Sequence, residues 1–545
     1  MSILPWLLLL AALAPAQTRQ PAPMNDSIRR EQLEADLHFL ASDALKGRLT
    51  GDPEYYLSAS FIEARFRHLG LQPVGDSFRQ TFSLTYARLD TGNRLRVHAT
   101  SGLTSGGRVL EDFYPLFFSP TAQAKGHVVF AGFGIRAPKI AWDDLGSASI
   151  NGRVALILAG EPEPNDPKSR FDGLVTSMYS DPMRKSLDLQ ERGAIGVLIV
   201  GASDEDRSIG PSAKGYWPEK PAHLERYALT PWAERLRIPV MQVSGAVAQS
   251  ILGDRKLSQV AKDAERSGGF QALSLPGVEI EVETALRRHV ITDQNIVAKV
   301  EGADPQLRDE AVIVSAHYDH NGAEGGLIYN GADDNGSGTV GLLDIAEAYA
   351  LAVKQGQRPR RTVIFVAWGS EERCCGPLLG AWAWNEKPRW PLDKTVAVLN
   401  MDMIGRSEEV PETGGGRFNG LAPQTAASNA TAVNVIGTSF SPSLRDAARE
   451  ANRWTDMQLR FRYDNNKSNL LRRSDHWVFL QYGVPGLWFH TGLHPDYHTQ
   501  FDRPERIDYK KMERVARLVH QLSWDLAMSD HKPDRAKRTA MPPVD

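Results

Sequence analysis

The chain has 545 residues, too many for one ordinary core, so two or more domains are expected. Its formal net charge is −3, from 63 basic and 66 acidic residues, which gives no electrostatic footing for nucleic acid or an anionic membrane surface. The 42% apolar and 24% charged content is that of a folded soluble protein, and two cysteines exclude a scaffold built on several disulfides.

The first segment reads as a processing signal. M-S-I-L-P-W-L-L-L-L-A-A-L-A-P-A-Q carries an apolar run too short to span a bilayer, followed by Ala14-Pro15-Ala16, an A-x-A cleavage pattern. Residues 1–16 are therefore expected to be a signal peptide, and the mature chain to be secreted or periplasmic. No later stretch is apolar enough to form an integral membrane segment.

Helical spacing follows from Ser27 to about Gly75, in R-R-E-Q-L-E-A-D-L-H-F-L and again in Y-L-S-A-S-F-I-E-A-R-F-R-H-L-G. Between these helices lies the turn-rich L-K-G-R-L-T-G-D-P. Over 111–285 the character changes to short β-rich runs such as R-V-A-L-I-L-A and I-G-V-L-I-V between Gly, Pro and Asp clusters, with one helix at S-L-D-L-Q-E-R-G-A. This reads as a module inserted into a discontinuous domain made of 27–110 and 286–530, with 203–235 an irregular excursion and 531–545 a tail.

From 286 onward, near-continuous apolar strands alternate with amphipathic helices, which predicts α/β architecture with a central sheet covered on both faces. The Gly-rich stretch 411–430 is long enough to serve as a lid. Acids and imidazoles appear where the strands run out. A-V-I-V-S-A ends in His317-Tyr318-Asp319-His320, T-V-I-F-V-A-W in Gly369-Ser370-Glu371-Glu372, and V-A-V-L-N-M in Asp402. L-W-F-H-T leads to His494 and His498, and Asp333-Asp334-Asn335 opens a helix. Each piece alone has an ordinary explanation: D-D-N is a helix cap, E-E a solvated turn, and Asp402 a buried hydrogen-bonding residue. Jointly they place several carboxylates at one sheet edge, where they repel unless a cation lies between them. Two His, two Asp and one Glu suit a zinc-like ion.

The motifs S-A-H-Y-D-H, N-G-A-D-D-N-G-S-G, G-S-E-E, L-N-M-D-M-I-G-R, S-D-H-W-V-F and G-L-H-P-D-Y-H-T-Q-F-D, together with the earlier L-A-S-D-A-L-K-G-R-L-T-G, resemble the M28 family of zinc peptidases. The β-rich insert is similar to the protease-associated domain that some members carry. The resemblance implies a mixed central sheet and two Zn2+ ions. His317 and Asp402 would hold one ion, Glu372 and His498 the other, and Asp333 would bridge both. It also implies Glu371 as general base for a metal-activated water, Asp319 as hydrogen-bond partner of the His317 imidazole, and Tyr497 as an oxyanion stabiliser. His320, His476 and His494 lie near the site in these motifs, with structural or hydrogen-bonding roles expected as readily as catalytic ones. Asp475 and Arg406 are weaker candidates for supporting ligands or substrate, and Trp368, Trp382, Trp384 and Trp390 are expected to pack rather than to form a substrate platform.

This chain departs from the family pattern in R-C-C-G-P-L-L-G-A, which lengthens the loop after Glu372 and puts Ala381 where a small polar residue is usual. Cys374 and Cys375 are expected to be neutral thiols, with a strained vicinal disulfide or extra metal ligation as alternatives. The expected activity is release of N-terminal residues from peptides. A carboxypeptidase or dipeptidase, with Arg472, Arg473 or Lys467 holding a substrate carboxylate, is the alternative. A single-zinc glutaminyl cyclase or an inactive receptor-like chain is disfavoured because the five expected ligands are all present. A homodimer stays open.

Overall fold

The computed structural model describes residues 20–99, 104–202, 209–220, 223–266, 270–372, 378–538, 541, 542 and 544. The expected signal peptide and the cysteine pair lie outside them. No helix among the described residues is long and apolar enough to cross a membrane.

The larger of two big sheets has ten strands. Its main members are β1 (Arg79–Leu89), β2 (Leu286–Val300), β3 (Ala311–His317), β4 (Thr362–Trp368), β5 (Thr395–Met401), β6 (Ala432–Ile436), β7 (Gln458–Arg460) and β8 (Gly486–His490). Across the sheet they run β1-β2-β4-β3-β5-β8-β6-β7, with Ala228–Leu229 on the outer edge of β1 and Gln72–Pro73 on β2. The central pairs β4-β3, β3-β5 and β5-β8 are parallel, whereas β1-β2, β2-β4 and β8-β6 are antiparallel, so the sheet is mixed.

Side-chain alternation explains why the central strands read as unbroken apolar runs. Val312, Val314 and Ala316 of β3 face one core, shared with Leu343 of α3 (Gly338–Lys354) and Val515 of α7 (Tyr509–Met528). Ala311 and Ile313 face the other, with Trp384 of α4 (Leu379–Glu386) and Phe479 of α6 (His476–Gln481). A strand buried on both sides needs apolar residues at both parities. α1 (Arg30–Leu40), α2 (Pro53–His68) and α5 (Pro442–Ala451) join the first face. Trp368, Trp382 and Trp384 are core packing of the second.

The second sheet has eight strands and lies in the inserted part of the chain. Strands 122–130, 154–158, 196–200 and 240–243 are parallel neighbours, flanked by antiparallel strands, and their alternate residues feed two further cores. It takes in 94–99, which pairs onto 273–284, and 104–106, which pairs onto 94–99, so this sheet begins before residue 111. It is also more helical than the sequence reading had it. Besides the expected Pro182–Glu191, Gly245–Leu252 and Leu257–Ala264 are helices, each too short to show more than two turns of periodicity. The stretch read as irregular, 203–235, contains the helices Gly210–Tyr216 and Thr230–Arg235 and the edge strand Ala228–Leu229.

A clamp of hydrogen bonds joins the two lobes. Asn465 Oδ1 accepts from Leu174 N at 2.8 Å, Asn469 Oδ1 from Thr176 N at 2.7 Å, and Arg472 Nη1 donates to Thr176 O at 2.9 Å. Beside this seam lies a cavity of about 650 Å³ lined by Tyr216, Trp232, Trp382, Arg472, Trp477 and Tyr482 among others. None of the acids and imidazoles at the strand ends lines it.

Candidate metal centre

His317 is the last residue of β3, Glu371 and Glu372 follow the end of β4, Asp402 follows β5, and His498 lies in the loop after β8. Parallel strands with the same polarity deliver all of them to one edge. Two groups form there. In one, His317 Nε2 lies 3.4 Å from Asp334 Oδ1 and 3.5 Å from Asp402 Oδ1. In the other, His498 Nε2 lies 2.9 Å from Asp334 Oδ2 and 3.0 Å from Glu372 Oε2, and His320 Nδ1 lies 2.7 Å from Glu372 Oε1.

These spacings fit a metal. Ligand atoms about 2.0–2.1 Å from a tetrahedral zinc are about 3.3 Å from one another. His317 Nε2 and His498 Nε2 are buried atoms that make no hydrogen bond although carboxylate oxygens stand this close, which is the geometry of lone pairs converging on a common point. Asp334 is the only residue in both groups among the described residues.

The structure therefore puts Asp334, and not Asp333, between the two groups. Asp333 Oδ1 accepts from Gly405 N at 2.6 Å, and its Oδ2 lies 3.3 Å from His494 Nε2, on the far side of the turn. Consecutive side chains of an open turn point apart, so only one of the pair can reach the centre. Asp502 braces the turn, its carboxylate accepting the amides of Asp333 at 2.9 Å and Asp334 at 3.0 Å. The D-D dipeptide alone carries no signal that separates them.

Asp319 also differs from expectation. Its carboxylate is 3.8 Å from His317 Nδ1, beyond a hydrogen bond, and its backbone oxygen is the nearer acceptor at 3.3 Å. The two carboxylate oxygens accept instead from Glu371 N at 2.9 Å and Glu372 N at 3.1 Å, so Asp319 shapes the turn that presents both glutamates. Glu371 belongs to neither group, and its Oε2 lies 4.0 Å from His317 Nε2. Tyr497 stacks on the His498 ring at 3.8 Å, and Arg417, from the expected lid, sits 5.8 Å from the Tyr497 ring. That loop is anchored, with Phe418 and Leu421 buried in the second core.

Three positioning features went unread in the sequence. Asp402 Oδ2 accepts from Ser474 Oγ, which accepts from Asn400 Nδ2 at 2.8 Å; Asn400 Oδ1 in turn accepts from Ser315 Oγ at 2.7 Å. Asp502 is the second. The third is Arg48, fully buried in L-K-G-R-L-T-G, whose guanidinium donates to the carbonyls of Tyr318, Leu40, Asn330 and Gly331 at 2.7–2.9 Å. In the sequence it is a charged residue in a turn-rich segment of the family resemblance, with nothing to mark it as buried.

The electrostatics describe a centre that demands cations. Burial opposes a charge on His317, yet Glu371 and Asp402 beside it hold its pKa well above the ordinary imidazole value. His498 is pushed up to about 10, burial working against the larger combined pull of Glu372 and Asp334. Burial raises Glu371 far above the usual carboxylate range, with Glu372 and Asp402 adding to it against the pull of His317. Asp475 is buried with both oxygens free of hydrogen bonds, and burial raises it as well. His476 is likewise buried and is lowered to about 3.

Comparison with known proteins gives the same family. The model of peptidase family M28 matches residues 295–523. A probable glutamate carboxypeptidase of Arabidopsis thaliana is 26% identical over 406 residues, covering 71% of this chain and 51% of its own length. One from Zea mays is 26% identical over 498 residues, covering 86% and 62%. The chain thus spans between half and two thirds of these plant relatives. An aminopeptidase of Bacillus subtilis is 23% identical over 392 residues, covering 68% of this chain and 76% of the relative. Among solved structures, an aminopeptidase from Aneurinibacillus superposes with a TM-score of 0.48 at 16% identity, over 96% of this chain and 98% of that one. The match to peptidase family M28 thus falls on residues 295–523, the stretch that supplies every side chain of both groups.

Proposed function

We propose that the chain is a dinuclear zinc exopeptidase that releases N-terminal residues from peptides. The observation that carries this reading is Asp334, with one oxygen turned to His317 and the other to His498. Two such ions, when bound, would supply Lewis acidity and make water a better nucleophile. His317 and Asp402 would hold one position, Glu372 and His498 the other, and Asp334 both.

Glu371 stays off the ligand set, with its amide pinned to Asp319 and its carboxyl raised by burial. A carboxylate above the usual range is a stronger base than an ordinary one, suited to taking a proton and returning it to the departing amine. Tyr497, its phenol held well above the ordinary range first by burial, keeps its proton and can donate toward a developing oxyanion. Release of a C-terminal residue is the second reading, favoured by the names of the plant relatives. Of the candidate carboxylate-binding residues, Arg472 is committed to the lobe seam, donating to Thr176 O and lying over Trp477, which leaves Arg473 and Lys467.

The test pairs metal analysis with peptides blocked at either end. The wild type should hold two zinc ions and cleave only peptides with a free N-terminus. Glu371→Gln should keep both ions and lose about 10²- to 10⁴-fold in kcat. Equal activity in the two proteins removes Glu371 as the base, and cleavage of N-blocked peptides selects the carboxypeptidase reading.

A further inference from the structure

The group around Glu372 holds one side chain more than the function above requires. His320, on the turn that leaves β3, is fully buried. Its Nδ1 lies 2.7 Å from Glu372 Oε1 and 3.9 Å from Asp334 Oδ2. His498 approaches the other Glu372 oxygen at 3.0 Å, and the two imidazoles meet edge to face with centroids 5.6 Å apart. Two features fix the His320 ring in this place. Its backbone N–H donates to Arg48 O at 3.2 Å. Behind it stands Gly331, where a Cβ would come within 2.4 Å of the His320 ring carbons, so a side chain there would push the imidazole out of the group. His320 Nε2 makes no hydrogen bond, which leaves Nδ1 as the ring's one polar contact.

We infer that His320 is a fourth protein ligand on the Glu372 side, and that the two metal positions are therefore unequal. This rests on the dinuclear reading. His320, Asp334, Glu372 and His498 together are the donor count of a closed site, whereas His317, Asp334 and Asp402 leave an open coordination place. Glu371 stands next to that open place, 4.0 Å from His317 Nε2. One ion is then a retained structural tie between the turns at 320, 334, 372 and 498, and the other is the exchangeable one that meets the substrate.

The experiment is a calorimetric titration of the chelator-stripped full chain with Zn2+, repeated with Co2+ and followed by visible absorption. The wild type should bind two ions in steps separated by at least about 100-fold. His320→Ala should weaken the tight step by at least about 10- to 100-fold, the loss typical of even an outer partner, and leave the loose step in place. His320→Asn, whose amide can still donate to Glu372 but is a poor metal ligand, should behave like His320→Ala and lose the cobalt absorption of the tight step. Circular dichroism of each stripped variant confirms that it is folded, and His320→Asn carries the test if His320→Ala is not. Wild-type binding in the asparagine variant, or equal weakening of both steps, overturns the assignment and leaves His320 a hydrogen-bond partner of Glu372. A wild-type chain that binds fewer than two ions sinks the dinuclear reading itself, whichever way the variants behave.

Discussion

Asp333 and Asp334 are adjacent, chemically identical and equally buried in practice, yet their surroundings give them different tasks. Asp333 accepts from the Gly405 amide through Oδ1 and ties its turn to the segment after β5. Asp334 has imidazoles on both oxygens. Asp334→Asn should weaken retention of both ions by more than about 100-fold, beyond what loss of an outer partner costs. Asp333→Asn should keep both ions and lose about 1–3 kcal/mol of stability from the disturbed buried hydrogen bond. Metal content after exhaustive dialysis, read beside denaturation midpoints, separates them; metal loss in Asp333→Asn with retention in Asp334→Asn would reverse the roles. At this scale the apolar strands showed where His317, Glu372, Asp402 and His498 lie, and the family resemblance singled them out from the other acids and imidazoles there. The choice between neighbouring aspartates was not, because it depends on where the Gly405 and Asp502 backbones and side chains happen to meet them.

At the level of elements, the site is framed by the loop between α1 and α2 as much as by the sheet. Arg48 joins four carbonyls from the end of α1, the turn after β3 and the turn before Asp333. Burial lowers its pKa to about 10, with Asp319 and Asp502 opposing the fall, so the guanidinium stays charged at neutral pH behind a cluster of acids. Arg48→Lys should cost roughly 2–4 kcal/mol, because a single ammonium cannot reproduce a planar fork with five donors. The urea midpoint at constant m-value measures it, and a shift under about 0.5 kcal/mol would show the brace to be dispensable. Alternating strands and helices of the main sheet were readable from periodicity. The short helices of the insert and the pairing of 94–99 were not, since a two-turn helix has little period and strand partners from 94–99 and 273–284 are far apart in the chain.

For the molecule as a whole, two buried imidazoles set an acid limit. His520 on α7 and His476 on α6 are each lowered to about 3, in both cases chiefly by burial. An unfolded histidine titrates near 6.5, so between about pH 6.5 and 3 the unfolded chain takes up protons that the folded chain refuses. Each should therefore remove up to about 1.4 kcal/mol of stability per pH unit as the pH falls through that window. Asp344, raised to about 8 mainly by burial, acts with the opposite sign, so the informative quantity is a difference between proteins. His520→Phe should flatten the decline in unfolding free energy between pH 6.5 and 3 relative to the wild type. Parallel curves would show that this imidazole is not kept neutral by the fold.

The clamp between the lobes ends two residues before Ser474, the residue whose hydroxyl steadies Asp402. A tug on the insert near Thr176 would thus travel along a short piece of backbone to the Asp402 carboxylate and bypass the rest of the centre. Anything that wedges the lobes apart would act as a lever on the His317 half of the pair while sparing the His498 half.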